Sequence, residues 1–425
     1  MYRFFKDKRT LKNCHIYQML RSQNGRHLSF HTPGHKRKGF DITELSYSDN
    51  LSAPSGCIFR AEQDITKLLR STQSFLLTDG STSGVLSILH AAKSLGVRSV
   101  CFLENSHKSV YNGCSLLGLT PLLLPQKQEN AIPLPPTMYE LNALLDEADA
   151  LLLTYPDYYG NVIDLQPIKA LCMEKGKLLL IDGAHGSHLH FNEEIYAGTY
   201  ADFWVDGVHK NLPTLTQGAV VSTNGYGEIL KKSVDIFRTT SPSYPIMASV
   251  EYGIKYPENK KLQERVLAMQ KENDRIYKNG DWTKLCVLFG QNAFQAEKEF
   301  QKRGIYPEFC DGNVLLFYLS PATSLRAFEK LKRNLRSILK KLPYIPNEEI
   351  KRKIFEKPSL EREWIELNSS MGRVCAAPCG LFPPCVPLLI DGEKIEEEKI
   401  ALLKKAGNTF GTSNGKICVY KEVLL

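Results

Sequence analysis

From Ser74 onward, short apolar runs recur with helix-like segments between them: Phe75-Leu-Leu, Val100-Cys-Phe-Leu, Pro121-Leu-Leu-Leu, Leu151-Leu-Leu, Leu178-Leu-Leu-Ile, Phe203-Trp-Val and Ala219-Val-Val-Ser. Unbroken apolar runs suit strands buried on both faces, and the intervening helical patterns supply the cover. The expectation is an α/β fold with a mostly parallel seven-stranded sheet and helices on both faces. In such sheets ligands lie beyond the carboxyl ends of the strands. The residues able to do chemistry fall at those ends: Gly80 to Gly84, His107, Tyr158-Tyr159, Asp182 and His209-Lys210.

With 425 residues and 43% hydrophobic content, the chain can bury one large domain and smaller ones beside it. The expected division is an N-terminal arm and loop over 1–60, a large domain over 61–292, and a small α+β domain over 293–425. The first part is turn-rich, in His31-Thr-Pro-Gly-His35 and from Asp49 to Gly56, and Pro133 to Pro136 marks a surface connection. The last part turns to Lys- and Glu-rich helices, expected over Ser324 to Leu342 and Asn347 to Phe355, with a short strand at Val314-Leu-Leu-Phe-Tyr.

The net charge of +8 is spread over Lys36-Arg37-Lys38, Lys231-Lys232 and Lys340-Lys341 with acids between them, so no nucleic-acid partner is expected. No apolar run approaches the ~20 residues of a membrane span, and the N-terminus is too short in apolar length for a secretory signal. A cytoplasmic location is expected. Eleven scattered cysteines read as reduced, buried thiols. Cys375, Cys379 and Cys385 lack a paired Cys-x-x-Cys, and His185, His188 and His190, though spaced like a metal set, have no matching carboxylate. No metal is expected.

Thr78-Asp-Gly80-Ser81-Thr82-Ser83-Gly84 follows a strand and opens a helical pattern, so its amides and hydroxyls suit a phosphate; an ordinary helix cap is the alternative. No Walker lysine follows, no Gly-x-Gly-x-x-Gly lies nearby, and Thr82 stands where a hydrolase elbow needs serine. His107, after the next strand, has a ring able to lie flat on a planar cofactor, or it is a satisfied loop residue. Asp182 and Lys210 each end an apolar run. An acid and a lysine at neighbouring strand ends suggest pyridoxal phosphate: Lys210 to hold the aldehyde as a Schiff base, Asp182 to keep the pyridine nitrogen protonated.

These elements in this chain order resemble the Orn/Lys/Arg decarboxylase family of fold-type-I pyridoxal enzymes, in particular its shorter bacterial arginine and lysine decarboxylases. The marks are His31-Thr-Pro-Gly-His35-Lys36, Asp41-Ile-Thr-Glu44-Leu with Asp49-Asn50-Leu51, Gly80-Ser-Thr-Ser-Gly84, Ser106-His107-Lys108-Ser109, Asp182-Gly-Ala-His185, His209-Lys210, Thr216-Gln217 and Thr239-Thr240-Ser241-Pro242-Ser243-Tyr244. The resemblance spans nearly the whole chain. It implies a fold-type-I transferase-like architecture and decarboxylation of a basic amino acid. Lys210 would bind the cofactor covalently, Asp182 would pair with the pyridinium nitrogen, and His107 would stack on the ring. Ser81, Thr82, Ser83 and His209 would hold the phosphate, with His185 also in the cofactor set. Thr239 would reach the phosphate of a neighbouring subunit, because the family shares its active site across a homodimer. Lys210 or His209 would return a proton to the substrate's Cα. For the substrate's distal cation the candidates are Asp41, Glu44 and Asp49, whose alternative role is capping loops.

Three positions depart from the family pattern. Gly207 stands where the family has serine in Ser-x-His-Lys, Ala377 where it has glutamate, and Cys385 where it has glycine; the stretch after them is short, as for a reduced C-terminal domain. Two other readings therefore stand beside the decarboxylase. One is another pyridoxal enzyme such as an aminotransferase, with Arg373 the candidate for a second carboxylate. The other is a non-catalytic relative.

Overall fold

The computed structural model describes residues 5–23, 28–36, 41–129, 132–346, 361–383, 385–406 and 408–421. The helix expected over Asn347 to Phe355 lies outside them. Each apolar run forms a strand: β1 Gln73–Leu77, β2 Ser99–Leu103, β3 Thr120–Leu124, β4 Ala150–Thr154, β5 Leu178–Gly183, β6 Phe203–Asp206 and β7 Ala219–Thr223. They make one seven-stranded sheet in the order β1-β7-β6-β5-β4-β2-β3. Only β7 runs against its neighbours; β2, β3, β4, β5 and β6 pair in parallel.

Burial on both faces explains the unbroken runs. Leu76, Cys101, Leu151, Leu153, Leu179, Ile181, Trp204 and Val220 enter one core. Their neighbours Phe75, Leu77, Val100, Phe102, Leu152, Leu180, Phe203, Val205 and Val221 enter the other, the alternation a strand's two-residue period requires. Helices α1 Cys57–Leu68, α2 Ser81–Ser94, α3 Lys108–Leu117, α4 Leu165–Glu174, α5 Gly227–Phe237 and α6 Tyr244–Ile254 cover the two faces. α1, α4 and α6 contribute Ile58, Ile65, Ile168, Met247 and Val250 to the first core. α2, α3 and α5 contribute Val85, Ile88, Val110, Leu230 and Val234 to the second.

Two short helices, Lys8–Lys12 and His15–Gln23, precede the sheet, and Ile16, Tyr17 and Leu20 of the second are buried in the first core. Its start is held by Glu251 of α6, which accepts hydrogen bonds from the amides of His15 (2.6 Å) and Ile16 (2.9 Å). Beyond the sheet, strands Lys284–Leu288, Phe309–Cys310 and Val314–Tyr318 form a three-stranded antiparallel sheet with Val314–Tyr318 in the middle. The helix Leu325–Lys341 lays Phe328, Leu331, Leu335 and Ile338 on that sheet's core, the apolar stripe of an amphipathic helix. Two further three-stranded antiparallel sheets follow, one built around the strand Cys379–Leu381. Among the described residues no helix is long and apolar enough to cross a membrane.

Candidate active site

The site is assembled where β5 and β6 end side by side. Their parallel register pairs Asp182 with Val205 and Gly183 with Asp206. Beyond β6, Gly207 opens a single helical turn, Val208–Asn211, that carries Lys210. Two turns are thereby pressed together: a Cβ on Gly207 would meet the Ala184 carbonyl oxygen at 2.4 Å. A side chain here would force the two turns apart.

On the other side, Gly80 (φ 80°) turns the chain from β1 into α2 and places Ser81 at the helix start. His107 is the N-cap of α3; its Nδ1 accepts from the Ser109 amide at 3.2 Å and lies 2.8 Å from the Ser109 hydroxyl. These pieces surround a cavity of about 430 Å³, part of it open to solvent, lined by Ser81, Asn105, His107, Thr154, Tyr158, Asp182, His185 and Lys210, with Ser109, Asp157, Ala184 and Val386.

Burial dominates the electrostatics. It pushes Lys210 below the usual lysine range, with Asp182 pulling the other way and Lys284 adding to the depression. Burial raises Asp182, opposed by Lys210 and by the Ala184 amide, which donates to its Oδ1 at 3.2 Å. His107 is pushed down to about 3 by burial, then by Lys210 and Lys108, so its ring is neutral at physiological pH. His185 is also driven well below its ordinary value, by burial first and then Lys210. Its Nε2 lies 3.1 Å from Lys210 Nζ, and its Nδ1 lies 3.0 Å from the Tyr318 hydroxyl.

Of the residues singled out from the sequence, Ser81, His107, Asp182, His185 and Lys210 share this cavity. His209 adjoins it, with Nδ1 2.9 Å from the Gly218 carbonyl and burial holding its ring below the ordinary histidine value. Thr82 is exposed, and the Ser83 hydroxyl donates to the Gly80 carbonyl at 2.9 Å. Thr239 does not line the cavity: its amide donates to Asp79 Oδ2 at 3.0 Å and its hydroxyl accepts from the Ser241 amide at 3.1 Å. Nor do the three acids of the N-terminal region. Asp41 pairs with His35 at 2.9 Å, and Glu44 accepts from the Leu51 amide at 2.8 Å. Asp49 accepts from the amides of Asn50, Ser55, Gly56, Ile58 and Phe59. Arg373 bonds Glu363 at 2.6 Å and the Tyr420 carbonyl at 2.8 Å. The three clustered histidines diverge: His188 bonds Asp281 and His190 bonds the Ser187 carbonyl.

Asn105, Thr154 and Asp157 were not picked out from the sequence, although each stands at or just beyond the end of β2 or β4, the position that marks the others. Val386, which lines the cavity, and Tyr318 and Lys284, which lie behind His185, come from the last third of the chain; only Val386 has a flagged neighbour in sequence, Cys385. Ala377 and Cys385 bracket the segment that brings Val386 in; Cys385 adopts φ 63°, and its carbonyl accepts from the Lys108 amide at 3.0 Å. A left-handed φ is one that glycine adopts more readily than cysteine.

The cavity fits a planar, phosphorylated aldehyde. The buried Asn105 Oδ1 and Thr154 Oγ1 have no hydrogen-bond partner among the described residues and face a space that needs one. A buried amine, a buried carboxylate, a neutral imidazole and a helix N-terminus complete the donor set. The architecture is that of the fold-type-I pyridoxal-phosphate proteins, and pyridoxal phosphate is the cofactor.

Residues 38–283 match the major domain of the Orn/Lys/Arg decarboxylases, and the chain belongs to that family. It is 26% identical over 435 residues to the uncharacterized protein YaaO of Bacillus subtilis (89% of this chain, 90% of the relative). To the arginine decarboxylase of the same organism it is 25% identical over 443 residues, with the same coverage. The fold superposes on the structure of the Escherichia coli constitutive lysine decarboxylase with a TM-score of 0.74 at 18% identity, over 97% of this chain and 82% of that one.

Proposed function

We propose that this chain is a carboxy-lyase that converts arginine, lysine or ornithine to the corresponding amine and carbon dioxide. The convergence of Lys210, Asp182 and His107 on one cavity, in a chain of this family, carries the reading. The cofactor, when bound, supplies a cationic conjugated ring that accepts the electron pair left as the carboxylate departs. Lys210 would hold the cofactor's aldehyde carbon; burial lowers its pKa, which favours the nucleophilic free amine. Asp182 supplies the negative charge that retains a proton on the ring nitrogen. His107, neutral across the physiological range, offers a face to the ring without adding a competing charge. Ser81 and the amides at the start of α2 suit the phosphate, with Thr82, Ser83 and His209 beside them. A proton returns to the substrate from Lys210 or His209.

The working unit in this reading is a cytoplasmic homodimer, with Thr239 reaching a neighbouring site and the amine product feeding polyamine synthesis. Asp41, Glu44 and Asp49 remain the proposed company for the substrate's distal cation. The division into parts at 60 and 292 belongs to the same proposal.

Carbon dioxide release from arginine, lysine and ornithine, measured on purified protein with added pyridoxal phosphate and Lys210→Ala as the blank, tests it. Release from one substrate, absent in the blank, is the expected result. Absence of release from all three, with cofactor bound, overturns it.

A further inference from the structure

The proposed reading leaves unused a largely buried chain of polar groups behind Lys210. Lys210 Nζ lies 3.1 Å from His185 Nε2, and His185 Nδ1 lies 3.0 Å from the Tyr318 hydroxyl. Beneath the Tyr318 ring is Lys284, fully buried, its Nζ 4.4 Å from the ring centroid. Lys284 is held by Asp281 Oδ2 at 3.3 Å and Thr283 Oγ1 at 3.2 Å, and the other Asp281 oxygen bonds His188 Nε2 at 2.8 Å. The Tyr318 ring is fixed edge-on to His185 (centroids 5.6 Å, 74°) and tilted against Tyr158 (5.9 Å, 53°). Tyr318 is therefore locked in place by a buried cation on one side and two rings on the others.

A neutral imidazole carries one hydrogen, and the hydrogen bond at one nitrogen decides what the other offers. When the Tyr318 hydroxyl donates to Nδ1, the hydrogen of His185 sits on Nε2 and points at Lys210. An N–H there can be accepted only by the free amine, so that tautomer favours unprotonated Lys210. With hydrogen on Nδ1 the Nε2 lone pair would face Lys210 and favour the ammonium.

We propose that Tyr318 is a positioning residue for Lys210: by donating to His185 Nδ1 it holds the Nε2–H tautomer and thereby keeps the lysine amine available to the cofactor's aldehyde. This rests on the pyridoxal-phosphate reading of the site. Other groups act on the same set: His185 is faced by Lys210, Lys284, His107 and His209, Lys210 by Asp182, Lys284, Glu308 and Cys385, and Tyr318 by Glu308, Cys286 and the Tyr158 hydroxyl, which competes with His185 Nδ1 for its hydrogen. All of them are retained when only the Tyr318 hydroxyl is removed.

The test is Tyr318→Phe, which keeps the ring over Lys284. Full-length protein stripped of cofactor is mixed with pyridoxal phosphate, and the rate at which the cofactor's absorbance shifts on binding is followed against pH. The midpoint is expected to move up by about one pH unit, a roughly tenfold smaller share of free amine at neutral pH. Alongside it, nitrogen-15 NMR of His185 is expected to show Nε2–H in the parent and a shift of hydrogen to Nδ1 in the variant. An unchanged midpoint, or the same tautomer in both proteins, overturns the inference. Should Tyr318→Phe not fold, Nδ1–H in the parent's own spectrum overturns it equally. Failure of the parent to take up the cofactor at all would instead refute the reading of the site.

Discussion

Gly207 and Ala184 are packed so closely that a Cβ on the glycine would stand 2.4 Å from the alanine's carbonyl oxygen and 3.1 Å from its carbonyl carbon. This contact joins the turn that carries Asp182 to the turn that carries Lys210, so the spacing of acid and amine depends on it. Gly207→Ser would regain the family's hydroxyl while forcing the turns apart. The expected outcome is a loss of about 1–3 kcal/mol in stability from overpacking, with weaker binding of pyridoxal phosphate. Urea unfolding and a cofactor titration check it. A serine variant as stable as the parent, with tighter binding, would mean the turns separate at no cost.

Asp182→Asn preserves shape and removes the carboxylate that ends β5 beside Lys210, while Asp157 and Glu308 are kept. A preorganised charge at a developing electronic change contributes more to the rate than to ground-state binding. Carbon dioxide release is expected to fall about 10²–10³-fold in kcat, with KM little altered. Steady-state kinetics on the preferred substrate decide the matter. A variant that loses KM and keeps kcat would assign Asp182 to substrate binding.

How far the site could be read from the chain follows from what holds each residue. β1 to β7 were legible because both faces of the sheet are buried, which leaves unbroken apolar runs, and their ends located Asp182, His107 and Lys210. Asn105 and Thr154 occupy the same kind of position but carry no charge to draw notice. Helix His15–Gln23 was hidden because its cap is Glu251 of α6, a partner the local sequence does not contain. Tyr318 and Lys284 come to lie behind His185 by tertiary packing alone. Gly207, conspicuous as a departure, needed the Ala184 carbonyl in place before its reason was visible.

Asp49 gathers five backbone amides, among them Ile58 and Phe59 at the start of α1. Burial pushes its carboxyl up, yet the amides of Ser55, Asn50, Gly56 and Ile58 outweigh this and hold it below the ordinary 3.8. A depressed carboxyl stabilises the fold above its unfolded value and loses that contribution as pH falls through the folded value. Asp49→Ala is expected to cost about 1–2 kcal/mol at neutral pH, as for a lost cap, and to lose less than the parent on further acidification below pH ~4. Urea midpoints at neutral and acidic pH measure both. Parent-like stability would show that the amides do not depend on this carboxylate, and a raised KM in the same variant would bear on its proposed place beside the substrate's distal cation.

Asp206 ends β6 and is buried, accepting from the Tyr196 hydroxyl at 2.6 Å and the Trp204 indole at 3.0 Å. Burial raises its carboxyl from 3.8 to about 7, against the pull of those two donors, and burial likewise raises Glu62 to about 7. The sign is opposite to that of Asp49. Between pH ~4 and ~7 the folded chain keeps a proton that the unfolded chain has released, so stability falls as pH rises through that window. In Asp206→Asn the side-chain oxygen still accepts from Tyr196 and Trp204, but there is no proton to lose. From pH 5 to pH 7.5 the urea midpoint of the variant is therefore expected to gain on that of the parent, because the loss due to Asp206 is gone; the slope common to both proteins sets Glu62 and Asp157, raised by burial, against His107, His185, His190 and His209, lowered by it. Equal slopes would show that Asp206 is ionised in the folded protein throughout, its charge met by the Tyr196 and Trp204 donors.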